Sequence, residues 1–279
     1  MRTSATCTTC PQTCMVEEGQ LGYCRSRRSI DGKVKPEGYG RITSIALDPI
    51  EKKPLARYMP GTTVLSLGSY GCNMDCPFCQ NASIAHATAD DIEWRAMQPQ
   101  EVVDLALELR DRRCVGIAYT YNEPLVNWEF LRDTSELAHE AGLVNVVVSN
   151  GMATTRTLSK VVKLIDAANI DLKCFTEQGY LRLGGNLRAV QYTISRLAEL
   201  PTCHLEVTTL VVPGLSDDEE QIDAMTSWLA SLDPSIPYHL TRFFPRHRMA
   251  KAQPTPIETL YQLADVASRH LDDVMLGNV

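Results

Sequence analysis

No apolar run in this chain of 279 residues is long enough to cross a bilayer, so no membrane-spanning helix is expected. The opening residues Met1-Arg-Thr-Ser-Ala-Thr-Cys7 lack the apolar core of a secretion signal, and a cytoplasmic protein is expected. Internal repeats and low-complexity segments are also missing, which leaves one domain with a small appendage as the natural division at this length. Positive charge is scarce. Lys and Arg number 27 against 34 Asp and Glu, and the net charge of −7 disfavours nonspecific nucleic-acid binding. A local basic patch of Arg242, Arg246, His247 and Arg248 could still meet a phosphate or carboxylate.

Cysteine, by contrast, is plentiful. Ten cysteines in a chain without a secretion signal argue for metal ligation over disulfides, because the cytosol keeps thiols reduced. Three of them, Cys72, Cys76 and Cys79, stand at CxxxCxxC spacing directly after the apolar stretch Thr63-Val64-Leu65-Ser66-Leu67. Three thiolates are one short of a closed tetrahedral site, so a four-iron cluster held here keeps one iron open to a small molecule. Zinc or redox thiols are the alternatives. Phe78 precedes the last thiol and is expected beside whatever binds at the open iron. A second group, Cys7, Cys10, Cys14 and Cys24, supplies four thiols, enough for a structural zinc or a second iron-sulfur cluster. Free thiols are the bland reading there, but so polar a segment has no apolar core and needs metal to order it. A soft boundary near residue 55 separates a Cys-rich metal-binding segment, 1–55, from the main domain, 56–279.

From Val64 onward strand-like and helix-like patterns alternate. Strands are expected over 64–68, 115–120, 144–149, 168–173, 203–212, 237–243 and 273–276, with amphipathic helices between them. Ser216 followed by Asp217, Asp218, Glu219 and Glu220 reads as a helix start with a capping hydroxyl. Repeated βα units imply a parallel sheet with right-handed crossovers, and about six of them fit a partial TIM-like barrel. Chemistry in such a barrel gathers at the C-terminal strand ends.

The strand ends deliver distinct groups. The first carries the three thiols. The second ends in Thr120-Tyr121-Asn122-Glu123-Pro124, with Glu123 expected at the rim or as a solvated loop acid. The third ends at Ser149-Asn150-Gly151, a hydrogen-bonding segment or a plain turn. Asp171 and Lys173 project to one face of the fourth, where two opposite charges must bind each other or a ligand. On the fifth, His204, Glu206 and Thr208 share a polar inward face, His204 reading more simply as a structural histidine. Glu206, Arg242 and His247 are expected to ring the mouth as candidates to contact substrate. Cys114, Cys174 and Cys203 read as small buried hydrophobes, with Cys174 a candidate relay thiol beside Lys173.

The CxxxCxxC run with an aromatic before its third Cys resembles the cluster motif of radical S-adenosylmethionine (SAM) enzymes. More specifically the chain resembles the radical SAM proteins of the AmmeMemoRadiSam system, relatives of pyruvate formate-lyase activating enzyme. Further matching segments are DPIEKKPL at 48–55, YTYNEP at 119–124, SNG at 149–151, DLK at 171–173, LVVPGLSDDE at 210–219 and the closing LGNV.

The resemblance implies a partial (β/α)6 barrel, a 4Fe-4S cluster on Cys72, Cys76 and Cys79, and SAM as cofactor. It places the SAM ammonium at the polar segment with Asn122 and Glu123, and Asp171 with Lys173 in the SAM site; by their own chemistry Ser149 and Asn150 could hydrogen-bond the SAM carboxylate or ribose, and Phe78 is expected near the adenine. Glu206 and Arg242 join that cofactor-lining set. The implied reaction is reductive cleavage of SAM to a 5′-deoxyadenosyl radical that abstracts hydrogen. An external donor such as flavodoxin or ferredoxin would feed it, and a glycyl residue of a protein partner is the substrate by analogy. Related activases carry an Asp where this chain has Val148, so a monovalent-cation site does not carry over. The rival classes are an electron-transfer or metal-sensing protein that never cleaves SAM, and a zinc-stabilised interaction module.

Overall fold

The computed structural model describes residues 4–279. Its centre is a single sheet of eight strands that follow one another in space in chain order: β1 (Ser44–Pro49), β2 (Thr63–Gly68), β3 (Cys114–Tyr119), β4 (Val144–Ser149), β5 (Ala167–Asp171), β6 (His204–Val211), β7 (Tyr238–Arg242) and β8 (Val274–Gly277). β1 pairs antiparallel with β2, and every later pair is parallel. β1 and β8 do not pair, so the row is open. All seven parallel strands lie where alternation of apolar and helical patterns places them. β1 overlaps the strand-like stretch 41–47 that the sequence shows ahead of the domain boundary, and it forms the edge of the barrel sheet from within residues 1–55.

The crossovers are α1 (Pro99–Glu108), α2 (Trp128–Glu140), α3 (Thr155–Val161), α4 (Leu187–Ala198), α5 (Glu219–Leu232) and α6 (Ile257–Ala267). Each lays an apolar stripe on the sheet; on α4 this is Leu187, Val190, Ile194 and Leu197, all buried. The start of α5 differs from expectation. Asp218 is the capping residue, its carboxylate accepting from Gln221 N, while the Ser216 hydroxyl is used within the preceding turn, accepting from Val212 N and donating to Leu210 O. Among the described residues no helix is long and apolar enough to cross a membrane.

Ahead of the barrel lie two antiparallel hairpins, Ser4–Thr6 with Met15–Glu17 and Arg27–Ile30 with Lys33–Pro36. Buried Arg27 anchors them, forming two bonds to Glu129 of α2 at 2.6 and 2.8 Å and one to Val126 O. Both partners are largely withdrawn from water, so losing either would strand a charge.

Residues 50–58 close the bottom of the barrel. Ile50 and Leu55 are fully buried against Val64, Ala118, Val146 and Ala167. Glu206 is the third residue of β6 and therefore sits near the N-terminal, bottom end of the barrel, away from the mouth where it was expected. Alternation assigns a residue to a face but does not fix its depth along the strand. Its carboxylate, fully buried, accepts from Ala56 N, Arg57 N, His204 Nε2 and His239 Nε2. Asn169 of β5 adds a bond to Pro54 O. Glu206 is thus a fastener for the plug, and His204 is a structural histidine stacked on Tyr58.

Burial alone would raise the Glu206 pKa, but these donors outweigh it and hold it from the ordinary 4.5 down to about 2. A depressed carboxylate pKa stabilises the fold above the unfolded-state value and loses that contribution as pH falls. Unfolding stability of the wild type should therefore decline between about pH 4.5 and about 2 more steeply than that of Glu206→Gln, as measured by urea titrations across that window. Parallel pH dependence of the two proteins would refute this role.

Candidate active site

The CxxxCxxC loop leaves the C-terminal end of β2 and is held from several sides. Asn122, on the loop after β3, spends its side chain on that backbone: Oδ1 accepts from Ser69 N, and Nδ2 donates to Tyr70 O and Gly71 O, both at 3.0 Å. With its side-chain amide engaged in this way, Asn122 positions the cysteine loop. Asn81 Nδ2 bonds Tyr121 O from the far end of the same loop. Tyr121 in turn has φ of 71°, an uncommon value for a bulky residue. Its hydroxyl donates to Asp48 at 2.7 Å, and Lys53 pairs with the same carboxylate at 2.8 Å while lying over the Tyr121 ring. This explains the DPIEKKPL segment: its buried ion pair fixes the backbone kink that leads into Asn122 and Glu123.

Glu123 is 2% exposed. Its Oε1 accepts from Leu125 N and Ser149 Oγ, and its Oε2 from Asn150 N at 2.8 Å, so one carboxylate ties the loop after β3 to the loop after β4. Burial raises its pKa to about 7, opposed by these three donors and supported by nearby Asp171. Asn150 continues the chain of contacts. Its Nδ2 lies 3.6 Å from Cys72 Sγ and donates to Asn73 Oδ1 at 2.9 Å, while Oδ1 accepts from Met152 N.

Asp171 and Lys173 meet at 2.8 Å, which settles how two opposite charges are accommodated there. Burial works against the Lys173 ammonium, yet Asp171, Cys76 and Cys79 together keep its pKa above the ordinary value. Burial also raises all three thiols of the loop: Cys72 well above its usual range with Glu123 adding to the effect, Cys76 to about 11 and Cys79 less, the last two eased by Lys173. Each of the three sits in the field of another. Phe78 is buried in the core cluster beside them.

Arg242, at the end of β7, stands apart from this set. Its Nε donates to Thr255 O and its guanidinium lies over the Phe244 ring. Cys174 is fully buried with its thiol toward Thr176 O, and Cys114 is buried in β3.

The N-terminal thiols press against the cysteine loop from outside. Cys10 lies beside the Asn73 side chain, and burial lifts its pKa to about 12 with Cys24 and Cys7 adding to it. Cys24 is raised to about 11 by burial, again with Cys7 and Cys14 nearby. Gln12 Nε2 reaches Asn73 O and Gly184 O. Asn73, which sequence reasoning passed over, is therefore the junction: fully buried, it touches Cys10 and Asn150 and donates to Met152 O. Its only signal in the sequence is its place directly after Cys72.

Among the described residues no three His, Cys, Asp or Glu side chains converge on a point suited to one metal ion. All ten cysteines are free thiols. A polynuclear cluster holds its thiolates farther apart than a single ion does, so the Cys72, Cys76 and Cys79 set fits such a cluster: three soft sulfur donors sharing one field, with the Lys173 cation beside two of them to offset thiolate charge.

The profile of the radical SAM superfamily matches residues 67–226. An uncharacterized protein of Methanocaldococcus jannaschii is 38% identical, covering 98% of this chain and 81% of its own. The pyruvate formate-lyase-activating enzyme of Clostridium pasteurianum is 21% identical over 61% of this chain and 72% of that one. Among solved structures, a domain of a pyruvate-formate lyase-activating enzyme from Bacteroides vulgatus aligns at TM-score 0.50 and 24% identity, covering 58% of this chain and 99% of that domain. Streptococcus suis SuiB bound to S-adenosylmethionine aligns at TM-score 0.58 and 13% identity, covering 75% of this chain and 48% of SuiB. At these identities the two structures establish the fold.

Gly71, at φ +85°, is where the two Cys-bearing segments meet, and a Cβ there would lie 2.3 Å from Cys24 O and 2.8 Å from Ser26 Cβ. Gly71→Ala should destabilise the protein by about 2 kcal/mol or more through backbone strain and overpacking, read as a lower urea midpoint with unchanged slope. A midpoint equal to the wild type would remove this contact from the account.

Proposed function

The chain belongs to the radical SAM superfamily, and from that premise we propose that it reductively cleaves S-adenosylmethionine at a 4Fe-4S cluster held by Cys72, Cys76 and Cys79. The observation that carries this reading is the placement of those three thiols at the C-terminal end of β2, between Asn150 and the Asp171–Lys173 pair. When bound, the cluster and SAM supply a 5′-deoxyadenosyl radical for hydrogen abstraction. The chain supplies placement and exclusion of water. Asn150 steadies Cys72, Lys173 offsets thiolate charge at Cys76 and Cys79, and Glu123 sets the position of the Ser149–Asn150 backbone. Each carboxylate oxygen has two acceptor positions, and Oε2 of Glu123 uses one of them for Asn150 N, which leaves the other for the SAM ammonium.

The substrate we propose is a glycyl residue of a partner protein. Support comes from relatives named as activating enzymes for pyruvate formate-lyase and for 4-hydroxyphenylacetate decarboxylase. We also assign metal binding to Cys7, Cys10, Cys14 and Cys24, whose thiols share one field and lie against the cluster loop. The electron comes from a reduced carrier such as flavodoxin or ferredoxin.

The test is anaerobic reconstitution followed by measurement of deoxyadenosine from SAM with dithionite. Wild type should form it, and Ala at Cys72, Cys76 or Cys79 singly should abolish it; wild-type rates in any one variant would exclude the cluster assignment. With all three replaced, metal analysis should still find roughly four irons per chain, held by the N-terminal thiols, since no three described side chains converge on a single ion. A folded, metal-free product would dismiss that second site. Glu123→Gln should keep the cluster and weaken SAM binding about ten- to hundredfold, the worth of one charge-assisted contact, in equilibrium binding measurements.

A further inference from the structure

The segment that follows β7, from Phe243 to Pro256, contains Arg246, His247, Arg248 and Lys251 and no Asp or Glu. The four cationic or titratable side chains all lie on exposed residues around the short turn His247–Met249. This segment is fastened to the cysteine loop. Met249 N donates to Pro77 O at 3.2 Å, and Arg248 Nη2 bonds Asp75 O at 2.7 Å and pairs with the Asp75 carboxylate at 2.9 Å. The His247 ring stacks on His86, 5.3 Å between centroids. Arg25 reaches in from the N-terminal segment, its Nη1 3.4 Å from His86 Nδ1. Asp75 and Pro77 flank Cys76 in the chain, so this basic surface lies one residue from a cluster ligand on either side.

Its charge is cancelled only in part. Arg248 takes up Asp75, and Asp91 lies in the field of Arg25. Arg246 and Lys251 have no carboxylate partner among the described residues. Exposed Tyr23, which lies in the field of Asp75, Arg25 and Arg248, and exposed Phe244, two residues before Arg246, add apolar contact area. A molecule of net charge −7 repels an acidic protein over most of its surface, so a basic patch of this kind sets the orientation of approach.

We propose that this surface, centred on Arg246 and Lys251 and bounded by Arg25 and Arg248, docks an acidic one-electron carrier protein that delivers its electron across Asp75–Pro77. The proposal rests on the cluster reading above. In each transfer the carrier loses one electron and the cluster gains it, with no proton or group exchanged at this surface.

The experiment uses the reconstituted full chain, reduced flavodoxin as the acidic carrier and dithionite as the small-molecule control. In the double variant Arg246→Glu/Lys251→Glu, the KM for flavodoxin in deoxyadenosine formation should rise about tenfold or more and lose most of its salt dependence, with the dithionite-supported rate unchanged. An unchanged flavodoxin KM overturns the proposal, as does an equal fall in both rates, which would assign these residues to SAM or to folding. Calorimetric titration of flavodoxin decides the surface independently of turnover. Salt-sensitive binding to wild type, weakened about tenfold in the variant, supports it, and no such binding to wild type refutes it. Failure of wild type to form deoxyadenosine with dithionite counts against the radical reading, while calorimetry still judges the docking surface.

Discussion

The candidate site depends on one buried carboxylate. Glu123 gathers donors from its own loop and from the loop after β4, and without it Leu125 N, Ser149 Oγ and Asn150 N would compete for other partners or go unpaired in a region that excludes water. Asn150, held in place by that carboxylate, touches Cys72 and Asn73, and Asn73 touches Cys10. Four parts of the chain distant in sequence are therefore set by one short network. The cost is a carboxylate kept close to neutrality by burial, with a pKa of about 7. That balance is of the kind found where a buried acid waits for a cation.

Much of the fold was legible because its parallel strands are buried on both faces and separated by amphipathic helices, patterns that local periodicity reports well. The thiol triplet was equally plain, since its spacing is local. What stayed hidden was depth and partnership. Glu206 alternates correctly to the inner face, yet lies at the wrong end of the barrel for chemistry, because a strand of eight residues spans the whole height of the sheet. Asn122 sits in a motif beside Glu123, but its amide serves the backbone of the cysteine loop. Arg242 reaches the correct end of its strand and then turns to Thr255. Asn73 gave no signal of its own, because its importance comes from contacts 77 residues away with Asn150 and 63 away with Cys10.

The Cys-rich segment and the barrel are joined by contacts whose individual energies are ordinary but whose positions are concentrated. Gly71 admits the Cys24 carbonyl, Gln12 spans Asn73 and Gly184, and Thr154 bonds the backbone of Thr8 and Thr9. Coupling between neighbouring groups of this sort is not additive. Order in the N-terminal thiols and order in the barrel thiols are consequently two aspects of one packing arrangement.

The sheet is a row with two free ends, and that has a mechanical meaning. A closed barrel has a fixed circumference, and widening it means breaking a ladder of hydrogen bonds. An open row has no such hoop: its splay can change while every ladder from β1 to β8 stays intact. What sets the width here is the wedge of residues 50–58 driven in from below, with Ile50 and Leu55 as its apolar body and Glu206 and Asn169 as its fasteners. The span of the mouth at the top of the molecule is thereby governed by a plug at its base, on the opposite side from every thiol of the cysteine loop.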